Sequence, residues 1–236
     1  MISQLLRSDF LKMKRKGFWL LTVLGPFGVV ALQMVNYGLR KEYLLQQSDN
    51  DWEYYLLNVS SFTPLALVLG IVILTSLMAS VENETNAWKQ LFALPVSKMS
   101  VYLSKFAALA WLLFVASFLL MLFTLAHGIY LDFDEAIPYL DVIQYSFFPY
   151  FAALPILALQ LWLAMVSKNQ GIPVTAGIFG VVFAYMAYFL PDWMIWKWPS
   201  LMNDWNEPLW NALLGIGIGC MLYFAGMFDF ARRDVK

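Results

Sequence analysis

Residues 106–129 read FAALAWLLFVASFLLMLFTLAHGI, 24 residues without one Asp, Glu, Lys or Arg. At ~1.5 Å per residue a helix of this length reaches ~36 Å, and the hydrocarbon layer of a bilayer is ~30 Å thick. Five more stretches of the same kind occupy about residues 17–39, 60–81, 145–166, 172–190 and 209–228. A backbone in hydrocarbon must satisfy its own polar groups, and apolar runs of this length do so as helices. The expected fold is therefore all-α, a polytopic membrane protein with six transmembrane helices forming a single transmembrane unit over residues 1–236. Ion-coupled carriers and intramembrane hydrolases keep ionisable groups at membrane depth. These six runs hold none, so the energy for any work is expected to come from outside the bilayer.

Composition agrees with the spans. The chain is 61% hydrophobic and only 13% charged, against ~45–50% and ~25% in soluble domains. With 236 residues and short loops, no separate soluble domain is expected. The single cysteine, Cys220, lies within the last run and cannot form an intrachain disulfide or a Cys-based zinc site. No Gly-x-x-x-x-Gly-Lys-Ser/Thr loop is present, so P-loop binding of ATP by this chain is not expected.

Charge sets the orientation. With the N-terminus inside, 12 of the 15 basic residues fall on inner segments, and only Arg40, Lys41 and Lys197 lie outside. The positive-inside rule then places both termini in the cytoplasm. Acidic residues lean outward, 11 of 16. The first run is too long for a signal-peptide core and lacks a small-residue cleavage site after it, so it reads as a retained helix kinked at Pro26.

Two inner segments offer surfaces to a partner. Residues 1–16, MISQLLRSDFLKMKRK, carry Ile2, Leu5, Leu6, Phe10 and Met13 at helical spacing, with Arg7, Lys12, Lys14, Arg15 and Lys16 largely opposite. This predicts a basic amphipathic helix lying on the inner membrane surface. It serves either as a topology signal attracted to anionic lipid or as an elbow that also touches a partner. The loop after the second run reads Glu82-Asn83-Glu84-Thr85-Asn86-Ala87-Trp88-Lys89-Gln90-Leu91-Phe92-Ala93-Leu94-Pro95-Val96-Ser97-Lys98. A helix of about three turns is predicted over 82–93, stopped by Pro95, with Glu82 and Glu84 favoured in its first turn by the helix dipole. Glu84, Ala87, Trp88 and Leu91 share one face. Ser97 and Ser100 are placed to cap the helix entering the third span. From spacing alone, a docking knob for a protein and an interfacial helix with Trp88 and Phe92 among headgroups both fit.

The same loop resembles the cytoplasmic coupling segment of type-2 ATP-binding-cassette permeases, the six-span membrane subunits of ABC exporters. The matching elements are Glu82 or Glu84, then Trp88-Lys89-Gln90-Leu91, then Leu94-Pro95-Val96-Ser97-Lys98, and finally Lys105 at the start of the third span. With the basic N-terminal helix and the spans, the resemblance extends over essentially the whole chain. Its length is similar to that of bacterial lantibiotic and bacitracin immunity-type permeases. The resemblance implies a coupling role for Glu82, Glu84, Trp88, Lys89, Leu91 and Pro95. It implies a cytoplasmic ABC ATPase in two copies, carrying the ATP and magnesium, and a second permease subunit, the same or related. It also implies a multi-pass protein of a bacterial cell membrane, with no cofactor, metal or nucleic acid bound by this chain.

On the outer side, residues 40–59 and 131–144 read as polar, acidic loops; neither has EF-hand spacing, so a solvated acidic face is expected. Residues 188–210 hold Trp193, Trp196, Trp198, Trp205 and Trp210 among three prolines, the pattern of a chain lying in the outer headgroup layer. The resemblance implies short outer helices here, and an interface anchor and a lateral gate are both open readings. Within the spans, Gly215 and Gly219 form a Gly-x-x-x-Gly pair suited to packing inside the subunit. Pro149, Pro155 and Pro173 are expected to bend spans four and five, Gln160 and Asn36 either to bond across helices or to line a path, with packing favoured, and His127 to lie near the outer end of span three.

Membrane-enzyme signatures such as His-Glu-x-x-His or Gly-x-Ser-x-Gly are missing from the sequence. The expected function is export or outer-leaflet extraction of an amphipathic substrate, an antimicrobial peptide, drug or lipid. The alternative is a non-transporting scaffold or sensor that binds a cytoplasmic protein through residues 82–98.

Overall fold

A computed structural model of the chain describes residues 2–14, 16–84, 97–167 and 169–233, with backbone alone for residues 2 and 82–84. The described residues are helical, without strands. Helix α1 spans Ile2–Met13, α2 Phe18–Leu45, α3 Asp51–Glu84, α4 Lys98–Leu131, α5 Tyr139–Ala152, α6 Leu154–Val166, α7 Gly171–Tyr185 and α8 Pro208–Arg232. Two single 3-10 turns, Ala187–Phe189 and Trp198–Ser200, lie between α7 and α8.

Five helical stretches are long and apolar enough to cross a membrane: α2, α3 to Val81, α4, α5 with α6, and α8. The sixth expected span is shorter than the sequence reading. α7 has 15 residues, ~22 Å at ~1.5 Å each, and the chain then tightens into the 3-10 turn. Leu190 is extended (φ −87°, ψ 145°), the conformation favoured before a proline such as Pro191.

The other helices outrun their apolar windows. α3 and α4 have 34 residues each, ~51 Å at ~1.5 Å per residue, so both project well beyond a ~30 Å hydrocarbon layer. Residues 40–45 and 51–59, read from the sequence as loop, continue α2 and open α3. Burial explains the extension: Trp52, Tyr55, Leu56 and Val59 pack with Val30, Tyr37 and Leu44 of α2 and Leu120 and Leu131 of α4. Tyr55 Oη and His127 Nδ1 share a hydrogen bond of 3.0 Å within this aromatic cluster. The expected boundary at Val81 and Glu82 is likewise crossed without a break, since α3 continues through Glu84. Glu82 and Glu84 therefore lie on the same helix as the second span.

Proline acts locally. α2 runs through Pro26, and its one residue with non-helical backbone angles is Arg40 (φ −137°, ψ 29°). The fourth apolar run does break, at Ala153, where α5 ends and α6 begins with Pro155 in its first turn. The break rests on α8.

Two layers meet along α3 and α4. α4 packs against α1, α2, α3 and α5, while α3 also packs against α6 and α7, and α8 lies against α5 and α6. The main core joins Val68, Ile71, Tyr102, Leu109, Leu112, Leu157 and Leu161, each fully or almost fully buried.

Candidate functional site

The coupling residues singled out in the sequence divide between two places. Glu82 and Glu84 lie in the last described turn of α3. Trp88, Lys89, Leu91 and Pro95 lie outside the described residues, as does most of the predicted helix over 82–93. What is described is the frame on either side of them.

The downstream arm of that frame is α4. Ser97 adopts an extended conformation (φ −75°, ψ 143°), and its hydroxyl accepts a 3.1 Å hydrogen bond from the Ser100 amide. This is the cap read from the sequence, and it satisfies one of the orphan N–H groups of the helix start. Lys98 Nζ donates to the Arg233 carbonyl at 2.5 Å, tying the first turn of α4 to the end of α8.

Seven residues further on, Ser104 and Lys105 are completely buried. Asp9 of α1 meets both: Ser104 Oγ donates to Asp9 Oδ2 at 2.5 Å, and Lys105 Nζ lies 3.4 Å from Oδ1. Asp9 is itself buried among Met13, Phe18 and Met78. The N-terminal helix is thus fastened by polar contacts to the base of span three, in addition to its apolar face. The pairing was missed in the sequence reading, although a signal existed. Asp9 is four residues after Leu5 and four before Met13, on the apolar face rather than the basic one. An acid in that register requires a buried partner.

At mid-depth, a narrow cleft between α2, α3, α4 and α5 is lined by Thr22, Pro26, Thr63, Gly70, Ser117 and Pro149 among others. Thr22 Oγ1 donates to the Phe18 carbonyl and Thr63 Oγ1 to the Val59 carbonyl, so both hydroxyls are spent on their own helices. The cleft encloses a cavity of about 50 Å³ with a mostly apolar lining. Gln160, expected to bond across helices, donates from Nε2 to the Pro173 carbonyl at 2.6 Å. It thereby joins α6 to α7.

The tryptophans of residues 188–210 have different fates. Trp193 and Trp205 are exposed, as an interface anchor requires. Trp196 packs on Gly180 and Phe183 of α7. Trp198 is buried against Ala152 and Leu201, and its Nε1 donates to the Asp192 carbonyl at 2.6 Å. Trp198 is therefore a core residue of a folded cap. The cap is held by Asp192, whose Oδ1 accepts from Lys197 Nζ at 2.5 Å and whose Oδ2 accepts from the Asp204 amide at 2.9 Å. Asn211 of α8 closes it from below, donating to the Trp198 carbonyl at 3.2 Å.

The Lys197 ammonium and the Asp204 amide hold the Asp192 carboxyl below its ordinary value of 3.8. A carboxyl depressed in the folded state contributes stability above its unfolded pKa and loses it as pH falls through the folded value. The protection factors of residues 192–206, with the intrinsic pH dependence of amide exchange divided out, are expected to hold at neutral pH and to fall only as acid protonates Asp192. In Asp192→Asn the exchange should be faster at neutral pH and lose this acid dependence. An unchanged acid profile in that variant would remove Asp192 as the cap's holding group.

A family model described as "ABC-2 family transporter protein" matches residues 5–184, more than three quarters of the chain. The match runs from α1 into α7 and ends ahead of the tryptophan-rich cap and α8. No curated protein and no solved structure matches the chain.

Proposed function

The chain belongs to the ABC-2 family of transporter proteins, and we propose that it is the permease of an exporter carrying an amphipathic substrate outward. Membership makes it a multi-pass membrane subunit of an ABC transporter, associated with a cytoplasmic ABC ATPase. The proposal adds direction and cargo: export, or extraction from the outer leaflet, of an antimicrobial peptide, drug or lipid. It also adds stoichiometry, two ATPase copies and a second permease, the same or related, with ATP and magnesium held by the ATPase. Six crossings with both termini in the cytoplasm are supported by the basic residues, 12 of 15 on one side.

One observation carries the reading. The segment 85–96 sits between two 34-residue helices that both project past the hydrocarbon layer, and α4 is tied at its base to α1 and α8. A push on that segment would move α4, and with α4 the N-terminal helix, as one unit. The apolar spans offer no ion-coupling group to replace it, which supports energy delivered by a partner.

The test is a gentle purification of the tagged chain from its native membrane, with mass spectrometry of what stays bound. A stoichiometric P-loop ATPase is expected; a chain recovered without one, under conditions that preserve known complexes, would favour the scaffold or sensor. Trp88→Asp combined with Leu91→Asp is expected to lower the recovered ATPase by about tenfold or more, the scale of losing a buried interface anchor. Membrane yield should stay unchanged. Normal recovery of the ATPase would exclude residues 82–93 as the coupling helix.

A further inference from the structure

Tyr102 of α4 carries a hydroxyl that this conformation does not use. The residue is fully buried, and among the described residues its Oη meets no hydrogen-bond partner. A phenylalanine would fill the same space without leaving a polar atom dry, so the orphaned hydroxyl calls for a partner in another arrangement of the helices.

The ring sits as a knob on α8, 5.7 Å from the rings of Tyr223 and of Phe230. Gly226 lies between those two, and its bare backbone makes room for the hydroxyl. A Cβ on Gly226 would come within 2.7 Å of Tyr102 Oη and 3.2 Å of Trp162 Cβ. The hydroxyl therefore stands across Gly226 from α6. There Trp162 Nε1 donates to Asp229 Oδ2 at 2.9 Å, and Arg233 Nε donates to the same oxygen at 2.7 Å. Among the described residues, Asp229 Oδ1 is left without a partner. Gly226 and Asp229 are three residues apart and neighbours on the helix surface. An unused donor and an unused carboxylate oxygen are thus separated by one step along α8, a rise of ~4.5 Å at ~1.5 Å per residue.

We propose that the α4–α8 contact has two positions, and that in the second α4 lies nearer the C-terminal end of α8, with Tyr102 Oη donating to Asp229 Oδ1. Packed helices switch between discrete registers of this size, one element moving past another. Gly226 leaves the track without a side chain to climb. Lys98, which ties the first turn of α4 to the Arg233 carbonyl, follows on its flexible four-carbon stem. The Tyr223 hydroxyl is the other acceptor beside the ring, but it is neutral and already donates to Met227 Sδ at 3.5 Å. A carboxylate accepts the more strongly. Tyr102 is then a positioning residue that holds the second register. The device goes beyond the export reading and is tested on the chain alone, so its failure leaves cargo and ATPase untouched.

The experiment is a spin-label distance measurement on the full chain in lipid nanodiscs. Labels go on the exposed Met99 of α4 and Leu213 of α8, in a Cys220→Ser background. The two sites are well separated along the helix axes, so a slide changes their distance directly. Two populations are expected, the second longer by about 4 Å, the rise from Gly226 to Asp229. Tyr102→Phe should reduce the longer population about tenfold, the scale of a hydrogen bond to a charged group. Asp229→Asn should also reduce it, and the double variant no further, because the two act as one pair. Tyr102→Phe should leave the thermal midpoint unchanged or raised, whereas a hydroxyl already bonded in the described register would lower it. Any of four results would overturn the proposal. The wild type could show a single distance, or the longer one could survive Tyr102→Phe. Tyr223→Phe could abolish it where Asp229→Asn does not, or the midpoint of Tyr102→Phe could fall.

Discussion

Lys105→Met is expected to cost about 3–5 kcal/mol, because it leaves the Asp9 carboxylate buried without its cation. Asp9 keeps only the Ser104 hydroxyl among its described partners. The site has no room for relief by solvent: Lys105 and Ser104 are fully buried and Asp9 is 6% exposed. Two routes remain open to the protein. Asp9 can take up a proton, or α1 can leave α4 and expose the carboxyl at the membrane surface. The thermal midpoint in detergent should fall sharply, and protease should reach α1 in the folded protein. The double variant Asp9→Leu with Lys105→Met should recover most of the loss, since replacing a buried pair by apolar groups of similar volume is often neutral or better. If the double variant is as unstable as the single ones added together, the two residues do not couple and α1 is held by its apolar face alone. Where stability recovers but ATPase activity no longer responds to substrate, the pair serves transmission through α1.

The contrast between Asp9 and the spans shows what hydropathy can read. Apolar runs located the crossing helices because the hydrocarbon layer imposes their length. They did not predict where those helices end. Trp52 and Tyr55, outside the apolar window, stabilise two further turns of α3 by packing with α2 and α4, Tyr55 on His127, a tertiary effect invisible to a sliding average. α7 failed in the opposite direction: residues 186–190 are apolar enough to extend it, but the chain turns there toward Pro191 and the cap. Short-range chemistry was more legible. Ser97 caps α4 as its spacing to Ser100 requires, and Pro155 opens α6 after the break at Ala153. Of the candidate site, the motif around Trp88 and Leu91 is read from the sequence alone. The Asp9, Ser104 and Lys105 contact emerges only when residues 95 apart are brought together. The Trp162 and Asp229 contact likewise depends on pairing α6 with α8.

Gly215→Val is expected to cost about 3 kcal/mol or more, as overpacking against backbone does when neither side can yield. A Cβ at Gly215 would meet the Phe151 carbonyl oxygen and come within 2.5 Å of Ala152 Cα. The Phe151 carbonyl is the one that Pro155, four residues later and without an N–H, cannot engage as a helix would. α8 therefore lays its barest surface on the break between α5 and α6, and Gly219, one turn on, meets Leu154 there, with its virtual Cβ 2.8 Å from Leu154 Cβ. Gly217 is the internal control. It lies on the same helix with nothing within 4 Å of its virtual Cβ, so Gly217→Val should leave the thermal midpoint nearly unchanged. The difference between the two variants isolates the seam from any general effect of a branched residue in α8. A rigid seam also constrains how the protein can move. α5, α6 and α8 would shift together, and rearrangement during a cycle would fall on the contacts that α2, α3 and α4 make with them. If Gly215→Val instead melts with Gly217→Val and the wild type, α8 is free to slide over the break. The hinge at Ala153 would then be a place of motion rather than a fixed bend.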